Sequence, residues 1–389
     1  MGNKANSHSE RSHALLSPSG SSRWLNCTPS ARLEEQFSDD DTSVFAEEGT
    51  LAHELSELKL RHRFGSRQSA TNFKKLRSHE LYKDEMEEYT DMYVDYCLEQ
   101  FQAAKKNTEF AEIRIEEKID LRHYVPDGFG SNDCIIIADP TLEVIDLKYG
   151  KGIRVSAKDN SQLKLYALGS LLEVMLLTEI KTVKMTIVQP RLDHISSFEM
   201  SAEDLIAWGD DVVKPTAANA FAGEGQAKAG EWCRWCKAKP TCRALAEYHL
   251  DIAKHEFKDP ALLDDGELLD VYNKLDTLTM WADSIKGYIL TEALKGKQWE
   301  GLKAVEGRSI RKITKPDELI VTLEGNGYKT ADFMEMKLLA IGKLEKLVGK
   351  KEFEKLSKGY IERPSGKPTL APADDKRPAY SSAENDFND

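Results

Sequence analysis

Residues 128–152, GFGSNDCIIIADPTLEVIDLKYGKG, constrain the fold more than any other stretch of the chain. Two apolar runs, Cys134 to Ala138 and Leu142 to Leu147, are separated by Asp139-Pro140-Thr141. Short runs rich in Ile and Val, split by a turn signal, predict a β-hairpin. Asp133 leads into the first strand. Asp146 and Lys148 stand two apart at the end of the second, so both project from one face. Charges on so apolar a strand need a reason. Two carboxylates that converge on a hard cation, with an ammonium beside them, supply one. Carboxylates hold Mg²⁺, the metal activates water and neutralises charge at a phosphate, and a lysine stabilises developing negative charge. A hairpin with an exposed Asp–Lys pair is the plain alternative, and the rest of the chain must separate the two.

The flanking patterns extend the hairpin into a sheet. Phe110 to Asp120 partly alternates apolar and charged residues, as a strand does. Ser156 to Leu177 predicts a helix on which Gln162 and Tyr166, four apart, share a face. Val183 to Val188 predicts a strand, Pro190 and Asp193 a turn, and Ile195 to Met200 a returning strand. Ser201-Ala-Glu203-Asp204 starts a helix that runs to Phe221. Upstream, Leu51 to His62 predicts a helix with Leu51, Leu55 and Leu58 on one stripe and His53 off it. Residues 66–80 read as a loop and 81–105 as a long helix. This order predicts an α/β fold, a central mixed sheet flanked by helices. Residues 16–248 form that domain. Residues 249–360 form a helical and small α/β extension, with Leu263, Leu268, Val271, Leu275 and Leu278 as an apolar stripe on its first helix. Residues 1–15 and 361–389 are expected to be disordered.

Composition limits the function. The 389 residues, 40% hydrophobic and 31% charged, allow a core of roughly 200–280 residues with appendages. No apolar run approaches the roughly 18 residues of a membrane span, and no signal-peptide pattern opens the chain. Met1-Gly2 resembles an N-myristoylation start, but Asn6 stands where Ser or Thr is needed. A cytoplasmic protein without membrane contact is expected. A net charge of −12 argues against coating nucleic acid by bulk attraction, so any DNA site must be a local basic groove. Residues 295–315 are such a region: seven cations against Glu300 and Glu306 give a local +5, with Arg308, Arg311 and Lys312 as candidate DNA contacts. A solvated basic face is the alternative.

Of six cysteines, Cys97 and Cys134 sit in apolar patterns and read as buried thiols. Cys233, Cys236 and Cys242 make C-x2-C-x5-C. Three thiolates are one short of the four that a zinc ion or an iron–sulfur cubane needs, and Cys27 is the available fourth. In a cytosolic chain such spacing points to metal rather than disulfides. Zinc and incidental cysteines both remain open at this point.

Taken together, these motifs resemble the RecB-type branch of the PD-(D/E)xK nucleases. More narrowly, they resemble the branch whose nuclease domain is clasped by an iron–sulfur cluster, as in AddB helicase–nucleases and CRISPR-adaptation nucleases. The residues that carry the resemblance are Gly49-Thr-Leu-Ala-His53, Gly130-Ser-Asn-Asp133, Asp146-Leu-Lys148-Tyr-Gly150, Gln162-Leu-Lys-Leu-Tyr166, and Cys27 with Cys233, Cys236 and Cys242. The resemblance implies a restriction-endonuclease-like core and roles within it. His53, Asp133, Asp146 and the Leu147 carbonyl would bind Mg²⁺ or Mn²⁺. Lys148 would act at the attacking water or scissile phosphate, and Gln162 and Tyr166 would hold the DNA strand. The four cysteines would bind a 4Fe–4S cluster. The implied activity is a metal-dependent deoxyribonuclease, an exonuclease acting on a DNA end or single strand in recombination, repair or phage replication. A helicase, a single-strand-binding protein or an annealing protein would be its partner. No helicase P-loop is present, so the chain is not a complete helicase–nuclease. The extension loosely resembles the segment C-terminal to the nuclease domain in bacteriophage and prophage proteins. A non-catalytic DNA-binding or scaffold protein, stapled by iron–sulfur or zinc, is the alternative reading.

Overall fold

The computed structural model describes residues 14–37, 44–65, 70–108, 110–251, 263–305, 313, 315–334 and 341–361. The predicted hairpin forms, and it is longer than its apolar runs. β1 spans Ala111–Asp120, β2 Phe129–Ala138 and β3 Thr141–Leu147. Asp133 therefore lies well inside β2 rather than ahead of it. The preceding Gly130, Ser131 and Asn132 also belong to the strand and pair with Ile119, Lys118 and Glu117 of β1. Helix α6, Ser161–Val174, then crosses over and returns the chain as β4, Thr182–Gln189, parallel to β3. β5, His194–Ser201, closes a five-stranded sheet in the order β1-β2-β3-β4-β5, antiparallel except at β3–β4. A parallel neighbour needs a crossover of this length, whereas a tight turn suffices for the antiparallel ones.

Two helical layers cover the sheet. On one face α6, α1 (Ser21–Asn26), α7 (Ala202–Trp208) and α8 (Lys214–Ala222) bury Ile135, Ile137, Leu142, Val144, Met185 and Ile187. On the other, α3 (Val44–Arg63) and α5 (Asp84–Asn107) bury Ile115, Cys134, Ile136, Ile145 and Leu147. Each fully buried aliphatic side chain contributes about 1.5–3 kcal/mol. A Cβ on Gly169 of α6 would fall 2.2 Å from Ile119 and 3.0 Å from the Asp120 carbonyl, so only glycine lets α6 lie this close to β1. Residues 66–80, expected as a loop, include helix α4, Ala70–Arg77, which buries only Leu76. One apolar contact per two turns leaves too faint a periodicity to read.

The remaining described helices are α2 (Ser30–Glu34), α9 (Arg243–Leu250) and the long α10 (Asp265–Leu294). The expected stripe on α10 is only partly packed: Val271 and Leu278 are half-buried and its other members exposed. Leu263, just ahead of the helix, is 45% exposed, as are Leu268 at 57% and Leu275 at 44%, while Lys274 is buried. The chain divides into a unit ending at Ala304 and a unit beginning at Val305. The second unit holds α11 (Pro316–Gly325), α12 (Thr330–Phe333), α13 (Ile341–Val348) and α14 (Lys350–Leu356). Among the described residues it contains no strand, and residues 306–312, 314 and 335–340 of the expected α/β extension lie outside them. Pro316 at the first turn of α11, with Asp317 and Glu318 behind it, favours a helix start.

Candidate active site

Strand register builds the site. Cys134 pairs with Ile145, so Asp133 falls opposite Asp146. Ile115 pairs with Cys134 and Glu117 with Asn132, so Glu116 falls opposite Asp133. Three carboxylates thus stand in one row across β1, β2 and β3. The row interrupts the ladder. Glu116 has φ +49°, a left-handed conformation that costs a side-chain-bearing residue free energy in mid-strand. The Leu147 amide donates to Asp133 Oδ2 at 2.7 Å, in place of a bond between strands.

His53 reaches the row from α3, whose buried face carries Leu51, Ala52 and Leu55. Its Nδ1 lies 3.1 Å from Asp133 Oδ1. Among the described residues, His53, Glu116 and Asp133 are the only group of three or more ligating side chains whose donor atoms all lie within 4.8 Å of one another. Asp146 is buried beside them, and Lys148 Nζ lies 2.9 Å from its Oδ2. Gln162, from the first turn of α6, accepts from Lys148 Nζ at 3.0 Å. The same side chain donates to Asp146 Oδ1 at 3.4 Å and to the Tyr166 hydroxyl at 3.2 Å. Glycine at 130 makes room here. A Cβ there would meet Pro18 at 2.8 Å and the Tyr166 ring at 2.9 Å.

The charges are strongly coupled. Burial raises Asp133, but the His53 charge and hydrogen bond, the Leu147 amide and Lys148 outweigh it and hold this carboxyl below its usual range. Burial pushes Asp146 above its usual range against the pull of Lys148. Burial and the Asp133 charge push Glu116 up to about 7. Burial lowers His53, but Asp133 and Asp146 raise it to about 9. His53, Glu116 and Asp133 together offer the donor atoms that could hold a cation.

Two features escape a reading of the sequence. Glu116 looks like an ordinary charged partner of Ile113 and Ile115, and nothing local marks its row. Arg191, after β4, stacks its guanidinium 4.6 Å over the Tyr149 ring. It also pairs with Glu48 at 2.9 Å and Glu85 at 3.3 Å. This brace fixes the backbone immediately after Lys148. Arg308, Arg311 and Lys312 lie outside the described residues.

The sequence profile described as "Protein of unknown function (DUF2800)" matches residues 13–378. The chain belongs to the DUF2800 family. A solved structure described as "Crystal structure of SSO0001" is 15% identical to this DUF2800 chain, covering 58% of this chain and 96% of that one. Its TM-score of 0.21 is too low to bear on the fold.

The four candidate ligand cysteines come together elsewhere in the fold. Cys27, Cys233, Cys236 and Cys242 line one small cavity, with Arg23, Lys228, Trp232 and Lys239 around it. All four thiols are free. Cys27 and Cys233 are held together by Lys228, whose amide donates to Cys27 Sγ at 3.5 Å and whose carbonyl lies 4.0 Å from Cys233 Sγ. Burial raises Cys27 and Cys233 and pushes Cys236 up to about 12, so as bare thiols they stay protonated. No three of the four come within 4.8 Å of one another. Cys97 and Cys134 lie apart from them, fully buried between α5 and β2. Among the described residues no helix is long and apolar enough to cross a membrane.

Proposed function

We propose that this chain is a divalent-metal-dependent deoxyribonuclease of the RecB-like PD-(D/E)xK type, an exonuclease acting at DNA ends. The observation that carries the reading is the carboxylate row Glu116–Asp133–Asp146, capped by His53 and flanked by Lys148 and Gln162. The donor set is hard oxygen with one imidazole, which suits Mg²⁺ or Mn²⁺. His53, Glu116, Asp133, Asp146 and the Leu147 carbonyl would hold it. When bound, the cation supplies charge neutralisation at the phosphate and an activated water. Lys148 keeps a positive charge at the edge of the row through Asp146 and Gln162, where negative charge gathers as water attacks phosphorus. Gln162 and Tyr166 line the approach and would orient the strand.

The cysteine cavity supports a 4Fe–4S cluster, with zinc as the alternative. A cubane takes four thiolates, and Arg23, Lys228 and Lys239 around the cavity would offset their charge. Cluster binding would tie Cys27 to the other end of the domain. DNA recombination, repair or bacteriophage replication is the setting that fits, with a helicase, single-strand-binding or annealing protein as partner. The test uses anaerobically purified full-length protein with Mg²⁺ or Mn²⁺ and end-labelled linear or circular DNA. Metal-dependent shortening of the linear substrate is expected. A brown protein that binds DNA but cuts neither substrate would leave only a non-catalytic, cluster-stapled module, and a colourless zinc protein would remove the cluster.

A further inference from the structure

The cysteine-rich turn carries two tryptophans with opposite fates. Trp232 and Trp235 lie one turn apart in the short helix Glu231–Trp235. Trp232 is half-buried, donates Nε1–H to the Lys228 carbonyl at 2.8 Å and lines the cysteine cavity. Trp235 is 70% exposed. The other five tryptophans are buried or half-buried. Among the described residues no hydrogen bond or ring contact engages the Trp235 indole. A large indole left in water forfeits the burial that usually accompanies the residue and leaves a π-face open to a ligand.

Charge narrows the choice of ligand. Residues 228–243 carry Lys228, Arg234, Lys237, Lys239 and Arg243 against Glu231, five minus one, a local +4 in a chain of net −12. Lys239 is turned inward: its Nζ donates to the Arg234 carbonyl at 2.9 Å, and it sits beside Cys236, where it would offset cluster charge. Lys237 and Arg243 are exposed and Arg234 is half-exposed, and all three lie near Trp235 in the sequence. An exposed aromatic plane with exposed cations within eight residues along the chain is complementary to a polyanion with free π-faces. Duplex DNA hides its base faces in the stack, and a single strand offers them.

We propose that Trp235 is a stacking platform for an unpaired base of DNA, with Arg234, Lys237 and Arg243 holding the adjacent phosphates. This rests on the nuclease reading and names its substrate as a strand at least partly single.

The test measures binding in full-length, anaerobically purified Asp146→Asn protein, where cleavage cannot intervene. Trp235→Ala and Trp235→Phe are compared on a single-stranded oligothymidylate and on an abasic strand of equal length, whose phosphates match but whose bases are missing. Trp235→Ala should bind the oligothymidylate about tenfold more weakly. Trp235→Phe should retain most of the affinity, and the abasic strand should bind all three proteins alike. The visible absorption of the cluster reports that the turn is intact, and Trp235→Lys replaces Trp235→Ala if that absorption is lost. Unchanged oligothymidylate binding, or equal loss on both strands, overturns the proposal. So does a change confined to sedimentation, which would make the occupant a second copy of the chain. If the parent chain cuts DNA but Trp235 proves silent, only this proposal falls. Trp235-dependent binding in a parent chain that cuts nothing would sink the nuclease reading alone.

Discussion

Glu116→Gln probes the site most directly, because it keeps the side-chain shape and removes one charge from the row. The ligating atoms of Glu116 and Asp133 lie within 4.8 Å. Two unit charges at that distance interact by about 3.5 kcal/mol at an effective dielectric near 20. Glu116 is half-buried, and screening by the remaining solvent reduces this to about 2 kcal/mol. Without a cation the interaction is repulsive, which is part of why the carboxyl moves from 4.5 up to about 7. The folded chain then keeps a proton that the unfolded chain releases near pH 4.5. Stability therefore falls as pH rises from about 4.5 to about 7, and the full penalty stands above that.

The variant escapes this penalty. At pH 8 in chelator it should melt about 4–8 °C above the parent, from about 2 kcal/mol and the usual size scaling. Adding Mg²⁺ or Mn²⁺ should reverse the order. A bound cation stabilises the parent by mass action, and the variant, one ligand poorer, should gain much less. Thermal melting with chelator and with each cation, run beside a cleavage assay, reads all of this. A variant that melts with the parent in chelator and responds equally to the cations would show that Glu116 does not share the site.

Asp146→Ala or Lys148→Ala should abolish cleavage while circular dichroism and DNA binding stay near parental; full activity in both would refute this placement of the chemistry. Charge reversal at Arg308, Arg311 and Lys312 should weaken DNA binding and flatten its dependence on salt, and an unchanged salt slope would make that stretch a solvated face. Cys27→Ser and Cys236→Ser should both lose the broad visible absorption and melt earlier, because serine oxygen replaces thiolate poorly on a soft site. Cys97→Ser and Cys134→Ser should keep the absorption, and iron-free protein carrying zinc would overturn the assignment. Glu87 is raised by burial, but hydrogen bonds from Arg77, Lys59 and Tyr82 prevail and hold it at about 2. Its contribution is present above about pH 4.5 and fades as pH falls towards 2, so Glu87→Gln should flatten the acid limb of a stability–pH curve over that window.

How far the sequence can be read depends on the range of each interaction. The hairpin, the crossover helix and the strands around it come from periods of two and 3.6 residues, which are local. Asp146, Lys148, Gln162 and Tyr166 share a site because neighbouring elements carry them at fixed offsets. Glu116 is invisible in the sequence because its role is set by register across three strands, and alternation only says that it points away from Ile115. Residues 129–132 fall outside the apolar run because Gly, Ser and Asn are poor strand formers, and tertiary pairing with β1 overrides that preference. The Arg191–Tyr149 brace joins residues from different elements, and each looks ordinary alone.

The same long-range logic links the four cysteines to the carboxylate row. Cys27 sits at the end of α1, and its thiol lies with the three cysteines beyond α8. The other end of α1 reaches the carboxylate site. Ser21 Oγ is 2.6 Å from Ser161 Oγ at the first turn of α6, one residue before Gln162. Just upstream, Pro18 packs over Gly130 beside Tyr166, and the Trp24 indole donates to the Ser17 carbonyl at 3.0 Å, so this turn moves with α1. A clasp that seats Cys27 therefore also seats the start of α6, and with it the Gln162 amide that holds Lys148 and Asp146. Releasing Cys27 would free α1 at one end only, and the slack would be felt first at Gln162. A cluster bound at these cysteines would govern the proposed activity in this way without touching substrate, by setting the position of a short helix whose far end orients Lys148.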